Sequence, residues 1–378
     1  MATLTSRCAV VSPTPRSPIK ILPFEVGRPP ADSIHVEIIQ AGICGTDPHL
    51  WKGDYGLRAP VVLGHEGIGK VISMNPTVIT DHAGQPLHEG DIVYWTAIRP
   101  CRKCYYCTVL DDECGCPSNG FMHNYEALAR AKEGTWATYS QYATLGPRNS
   151  FYRVSSDVPP EAYIALGCAL PAVIQATGRL RKGHIEPHST VLVQGCGAVG
   201  LAAIMMARLS GALKVVVIDR NPIRLAKAKE FGADDCINLD EVTDMGERAK
   251  RITTQVVGDR GVDLAIECSG HPSAIREGLG LLARNGTYLL IGTWAGKAEV
   301  LFDPFVVVNK ALHIQGSTYG APRDYYRASK VVEQNWQRFP LASCVTHKFS
   351  LDETQLGLET VMSGLAVKAV VEPNRKGN

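Results

Sequence analysis

From residue 190 onward, short apolar runs alternate with helix-patterned stretches, and few architectures accommodate that alternation. TVLVQG (190–195) precedes AVGLAAIMMARLSG (198–211), and KVVVID (214–219) precedes PIRLAKAKEFG (222–232). VDLAIECSG (262–270) leads into AIREGLGLLARNG (274–286), and TYLLIG (287–292) follows. Such a series predicts parallel strands joined by crossover helices, an α/β doubly wound sheet. At the first strand–helix junction, Gly195-Cys196-Gly197-Ala198-Val199-Gly200 fits G-x-G-x-x-G. The pattern alone is weak. It gains weight from the strand before it, the helix after it and the acidic residue that ends the next strand. Gly195, Gly197 and Gly200 allow a tight turn and bring a pyrophosphate close to a helix N-terminus, whose unpaired N–H groups bind anions. Asp219 is placed to accept hydrogen bonds from an adenosine ribose, and its charge repels a 2′-phosphate. NAD is therefore expected rather than NADP. Arg220 argues the other way unless it is a solvated loop charge.

Before about residue 160 the pattern is different. IHVEIIQA (34–41), GKVISM (69–74) and DIVYWTAI (91–98) lie between Gly- and Pro-rich turns and predict a mostly β unit with irregular loops. From about 316 to 378 the chain returns to mixed short elements, expected to fold back onto that first unit. At 378 residues two domains are expected. The net charge of +2, with scattered basic residues, leaves no footprint for nucleic acid or an acidic membrane. MATLTSRCAVVSPTPRSP has no apolar stretch behind a basic end, and no run is long enough to span a bilayer, so a cytoplasmic location is expected.

Five of the twelve cysteines fall within CRKCYYCTVLDDECGC (101–116). Clustered cysteines in a large intracellular chain bind metal more often than they form disulfides. Cys101, Cys104 and Cys107 form C-x₂-C-x₂-C, which turns three thiolates toward one structural zinc, usually closed by a fourth cysteine. Cys114 and Cys116 both lie within reach. A second constellation sits upstream in AGICGTDPHLWKG (41–53) and VVLGHEGIGKV (61–71). Cys44 and His65 each lie beside a glycine, and a zinc that performs chemistry takes three protein ligands and keeps one position open. Cys168, in ALGCALPAV just before the nucleotide-binding stretch, is a candidate third. Singly, each has a plainer reading, a buried thiol or a hydrogen-bonded histidine. Together, upstream of a cofactor turn, they point to catalysis.

CGTDPH, GHEGIGKV, the cysteine cluster, GCALPAV, GCGAVG with Asp219, and SGLAVKAVVEP make the chain resemble, nearly end to end, the medium-chain zinc-dependent alcohol dehydrogenase family. That resemblance implies a GroES-like β-barrel catalytic domain (1–170 and 316–378) and an inserted Rossmann NAD-binding domain (171–315), with the active site between them. It implies two zinc ions per chain, NAD as cofactor, an alcohol or carbonyl substrate, and a homodimer or homotetramer. Carried over by position, Cys44, His65 and Cys168 are the catalytic zinc ligands. Asp47 orients His65, Glu66 is an acidic residue able to approach the metal, Thr46 hydrogen-bonds the substrate oxygen, and His49 ends a proton relay. Arg224 corresponds to a contact to the adenosine ribose and Lys368 to a basic residue near the pyrophosphate. Relatives in the polyol and threonine branches use a glutamate where this chain has Cys168. Much of the family spaces its fourth structural cysteine to what is here Gly115. The CPSN that begins at Cys116 resembles the segment after that ligand in some relatives, which favours Cys116, with Cys114 the alternative.

The family reaction passes hydride between an alcohol carbon and the nicotinamide while zinc polarises the oxygen. A secondary alcohol is the expected substrate. Trp51, Tyr55, Trp294 and Tyr319 are candidates to line the site, or ordinary packing residues. NGFMHNYEALARAKEG (119–134) is longer than the barrel needs. Two rivals stand beside this reading. One is a zinc-free, NADPH-dependent quinone or enone reductase of the same superfold. The other is a thiol-based redox sensor without enzymatic activity.

Overall fold

In the computed structural model, residues 4–120, 122–256, 258, 260–292 and 299–375 are described. Nine strands precede the predicted parallel sheet. They are β1 (Leu4–Val11), β2 (Lys20–Val26), β3 (Ile34–Gly42), β4 (Val61–Val62), β5 (Glu66–Met74), β6 (Ile92–Trp95), β7 (His123–Asn124), β8 (Tyr142–Leu145) and β9 (Phe151–Arg153). Then come β10 (Thr190–Gln194), β11 (Lys214–Asp219), β12 (Asp235–Asn238), β13 (Val262–Glu267), β14 (Leu282–Leu290) and β15 (His313–Gly316). Two more, β16 (Val345–Ser350) and β17 (Lys368–Glu372), close the chain.

Two compact units result: Met1–Cys168 with Ala321–Asn378, and Ala169–Gly320. The second unit, expected over 171–315, extends further at both ends. Ala169 opens the helix Ala169–Gly178, and Gly316 ends a strand of the parallel sheet.

The first unit holds a four-stranded sheet, β2-β1-β4-β7, and a seven-stranded one, β16-β17-β3-β5-β6-β9 with β8 also on β3. Pairing is antiparallel except between β16 and β17. In β3 the residues Ile34, Val36 and Ile38 alternate into a core shared with Val71, Val93, Leu145, Phe349 and Val371. That core includes side chains from both ends of the chain, which is how the C-terminal stretch is held. Trp51 belongs to it and donates its indole N–H to the Ser17 carbonyl at 2.9 Å, so it packs the interior rather than lining a site. Within 119–134, β7 and the helix Tyr125–Ala131 are ordered, with Leu128 buried among Cys8, Phe24 and Val62.

The second unit is a six-stranded parallel sheet ordered β12-β11-β10-β13-β14-β15. That is the 3-2-1-4-5-6 order of dinucleotide-binding folds, with the reversal between β10 and β13. All five residues of β10 are buried, as a central parallel strand demands. One element departs from expectation. The helix after β13 covers Pro272–Leu281 only, and LARNG, expected as its continuation, already belongs to β14. The apolar spacing of LGLLA fits either period; pairing of Val262 with Leu282 decides for the strand.

Candidate functional site

In the first unit, Cys44 and His65 are brought together by pairing of the strands that flank them. Gly42, the last residue of β3, faces Glu66, the first of β5. Cys44 therefore follows one strand and His65 precedes the other at the same end of the pair. Cys168 ends the unit's first segment and completes a cluster in which ligand atoms of Cys44, His65, Glu66 and Cys168 all lie within 4.8 Å of one another. The Cys44 and Cys168 sulfurs are 3.6 Å apart. That is far beyond a disulfide bond, and close to the ~3.8 Å separating two thiolates on one tetrahedral zinc. The Cys168 S–H pulls the Cys44 thiol well below its ordinary range, outweighing burial, while Cys44 and burial push Cys168 up.

His65 is 7% exposed, with Nδ1 3.4 Å from Asp47 Oδ1. Burial works against its protonation, but Asp47 and Cys44 outweigh it and raise its pKa well above the usual value. With Nδ1 toward Asp47, His65 would present Nε2 to a metal. Glu66 is held firmly: Oε1 accepts the Cys168 N–H at 2.9 Å and Oε2 takes the Lys368 ammonium. Burial raises the Glu66 carboxyl, yet Lys368 and His65 keep it below its ordinary range. Lys368, expected beside a pyrophosphate, is thus 3% exposed on β17 with its charge neutralising this carboxylate. A lysine inside the apolar run AVKAVVE points to burial but not to its partner.

Thr46 and His49 lie three residues apart on the helix Thr46–Lys52, hence on one face. The Thr46 hydroxyl is 3.7 Å from the Cys44 sulfur. His49 pairs through Nδ1 with Asp54 at 2.6 Å, and Lys52 lies 3.2 Å from the same carboxylate oxygen. Tyr139, which the sequence reading missed, donates its buried hydroxyl to Asp47 Oδ2 at 2.8 Å. Nothing in a tyrosine's sequence neighbourhood announces where its hydroxyl points.

The second cluster comprises Cys101, Cys104, Cys107 and Cys116. Its Cys104–Cys107 and Cys104–Cys116 sulfur distances are 3.5 and 3.8 Å. The Lys103 N–H draws Cys101 down to about 6, whereas burial and Cys104 push Cys107 to about 12. The short helix Tyr105–Thr108 begins after Cys104 and turns Cys107 back toward it. Cys114, in the turn Glu113–Gly115, is instead buried against Ile98 and Ala321.

In the second unit, Gly195 adopts φ +95°, and a side chain there would meet Ser269. A Cβ on Gly200 would lie 1.9 Å from the Gly195 carbonyl oxygen. Beside Gly197, in contrast, the space is open, at the start of the helix Ala198–Leu209, which carries no side-chain cap. An open cradle at an uncapped twelve-residue helix suits a phosphate. Asp219 accepts the Cys196 N–H at 2.6 Å and the Asn221 N–H at 2.7 Å, leaving lone pairs on both oxygens. Arg220 is exposed, 3.7 Å from Asp240, and the buried Nε of Arg224 has no hydrogen-bond partner. Tyr55 and Tyr319 are exposed, and Trp294 lies outside the described residues. Among the described residues no helix is long and apolar enough to cross a membrane.

Two family models match: the alcohol dehydrogenase GroES-like domain over residues 30–154 and the zinc-binding dehydrogenase over 198–334. The chain is 38% identical over 338 residues to 5-exo-hydroxycamphor dehydrogenase of Pseudomonas putida, covering 89% of this chain and 91% of that one. It is 26% identical to sorbitol dehydrogenase of Halalkalibacterium halodurans, over 91% of this chain and 93% of that protein. A crystal structure of an alcohol dehydrogenase from Thermotoga maritima superposes with a TM-score of 0.90 at 29% identity, covering 98% and 100% of the two chains.

Proposed function

The chain belongs to the zinc-dependent medium-chain alcohol dehydrogenase family, and from that premise we propose that it interconverts a secondary alcohol or polyol and its carbonyl with NAD, using one catalytic and one structural zinc. The observation that carries the reading is the convergence of Cys44, His65 and Cys168 beside the buried Asp47. Those three residues would hold the catalytic ion, and Cys101, Cys104, Cys107 and Cys116 the structural one. When bound, zinc supplies a Lewis acid for the substrate oxygen and NAD supplies the hydride acceptor.

The chain's own residues do the rest. The Asp47 carboxylate faces His65 Nδ1 and accepts the Cys44 N–H at 2.9 Å, so a single buried anion steadies two ligands. Lys368 and the Cys168 N–H occupy Glu66, which would keep that carboxylate from competing with substrate for a bound ion. The Thr46 hydroxyl, beside the Cys44 sulfur, would hydrogen-bond the substrate hydroxyl, whose proton leaves toward His49 on the same helix face. The imidazole, its Nδ1 on Asp54, hands that proton to solvent. In the second unit, Gly197 would admit the pyrophosphate and Asp219 would take the ribose hydroxyls, with the unpaired Nε–H of Arg224 a further donor for the cofactor. The Asp219 charge supports NAD over NADP, and Arg220 leans toward Asp240. Both thiol clusters weigh against a zinc-free reductase, and the ordered nucleotide turn against a thiol sensor. We expect a homodimer or homotetramer acting in the cytoplasm.

The relatives named for hydroxycamphor and sorbitol direct the first assays to cyclic secondary alcohols and polyols. NADH formation across such a panel, run in parallel with NADP⁺, tests the reading. Substrate-dependent turnover with a preference for NAD⁺ is expected. Silence across secondary alcohols, polyols and the reverse carbonyl reductions, or a clear preference for NADP⁺, would contradict it.

A further inference from the structure

We propose that the Tyr139 hydroxyl is a positioning group for the zinc centre, fixing the Asp47 carboxylate so that His65 and Cys44 are presented to the ion together. The inference rests on the reading that Cys44, His65 and Cys168 hold a zinc.

Tyr139 is fully buried and its backbone is locked beside the ligand-bearing loop. Its N–H donates to the Leu63 carbonyl at 3.1 Å, and the Thr138 N–H to the Gly64 carbonyl at 3.0 Å, immediately before His65. Its own carbonyl accepts the Ala9 N–H at 2.8 Å. From that fixed backbone the hydroxyl reaches Asp47 Oδ2 at 2.8 Å, where the Cys44 N–H also donates at 2.9 Å. Two donors on one oxygen define the plane and rotation of the carboxylate. Oδ1 is thereby directed at His65 Nδ1, 3.4 Å away. Asp47 is itself fully buried, so neither water nor an exposed side chain replaces a missing donor. Burial and the Asp47 charge also keep the phenol protonated and hence a donor.

Tyr139→Phe keeps the ring and removes only the donor. Outer groups that orient a ligating histidine typically change metal affinity by about 10–100-fold. Zinc release into an excess of a coloured chelator is followed for the zinc-loaded protein, Tyr139→Phe, Asp47→Asn and the double variant. In Tyr139→Phe one of two zinc ions is expected to leave about ten times faster and the other at its original rate. A merely structural role would speed both ions. The double variant is expected to release no faster than Asp47→Asn, because the hydroxyl acts through that carboxylate. Unchanged release in Tyr139→Phe, or additive effects in the double variant, would overturn the proposal. Cys44→Ser separates the two levels of inference. If it keeps both zinc ions, the ligand assignment fails; if it keeps one while Tyr139→Phe releases normally, only the role of Tyr139 fails.

Discussion

Cys116 stands 3.8 Å from Cys104 in the thiol cluster, while Cys114, two residues earlier, packs against Ile98 and Ala321. The spacing alone left both open as a fourth ligand, because a loop this short could deliver either sulfur. The choice is made by the turn Glu113–Gly115, which holds Cys114 within it and releases Cys116 into extended backbone, and by the Cys101 N–H, which donates to the Cys116 sulfur at 3.3 Å. Cys116→Ser is expected to lose one zinc per chain and roughly 2 kcal/mol or more of stability, as loss of a structural metal ligand does. Cys114→Ser is expected to keep both ions and to cost about 1 kcal/mol. Zinc content and denaturant midpoints of the two variants check this. At this scale the residue types of the site were readable, since Cys44, His65 and Cys168 carry their chemistry in their side chains. Their partners were less so. Tyr139 and Lys368 act through contacts 92 and 302 positions away along the chain, which no local pattern encodes.

Among the elements, strands and helices of the parallel sheet were legible because their apolar runs have the right length and period. The strands β12 and β15 escaped: DCIN and HIQG are four residues each, too short for a period to register. The two-residue strand β7 escaped for the same reason, yet it carries a distinctive feature. His123 stacks on Trp136 with centroids 3.7 Å apart, and the Arg99 guanidinium lies 3.4 Å from the same ring's centroid. Burial, and then the Arg99 charge, pull the His123 pKa from 6.5 down to about 4. As pH falls, the unfolded chain takes up this proton before the folded one, so stability drops between pH 6.5 and about 4. The effect is at most about 3 kcal/mol. His123→Phe keeps the stack and is expected to flatten that part of the pH dependence. Urea unfolding near pH 7 and near pH 4.5 reads it as a difference of slopes, with metal loss common to both proteins. Parallel slopes would show that His123 does not carry the effect.

At the scale of the whole molecule, the catalytic unit is discontinuous, and its metal cluster depends on that. Cys44, His65 and Cys168 come from the first half of the chain, whereas Lys368, which holds Glu66, arrives on β17 after the entire nucleotide-binding unit. The change of pattern near residue 160 made the two units legible, and the fold-back was expected from the return to short mixed elements. Which C-terminal residue would enter the cluster was not legible, because strand β17 reaches it by pairing with β3 rather than through any local motif. The claim that one reacting zinc is held by Cys44, His65 and Cys168 is tested most directly by zinc content and turnover of Cys44→Ser, with NADH binding measured on the same sample. Two zinc ions per chain in the parent protein, one in the variant, turnover reduced by a factor of about a thousand or more and NADH binding retained are the expected results. A variant that keeps two zinc ions, or turns over at the parent rate, would contradict it.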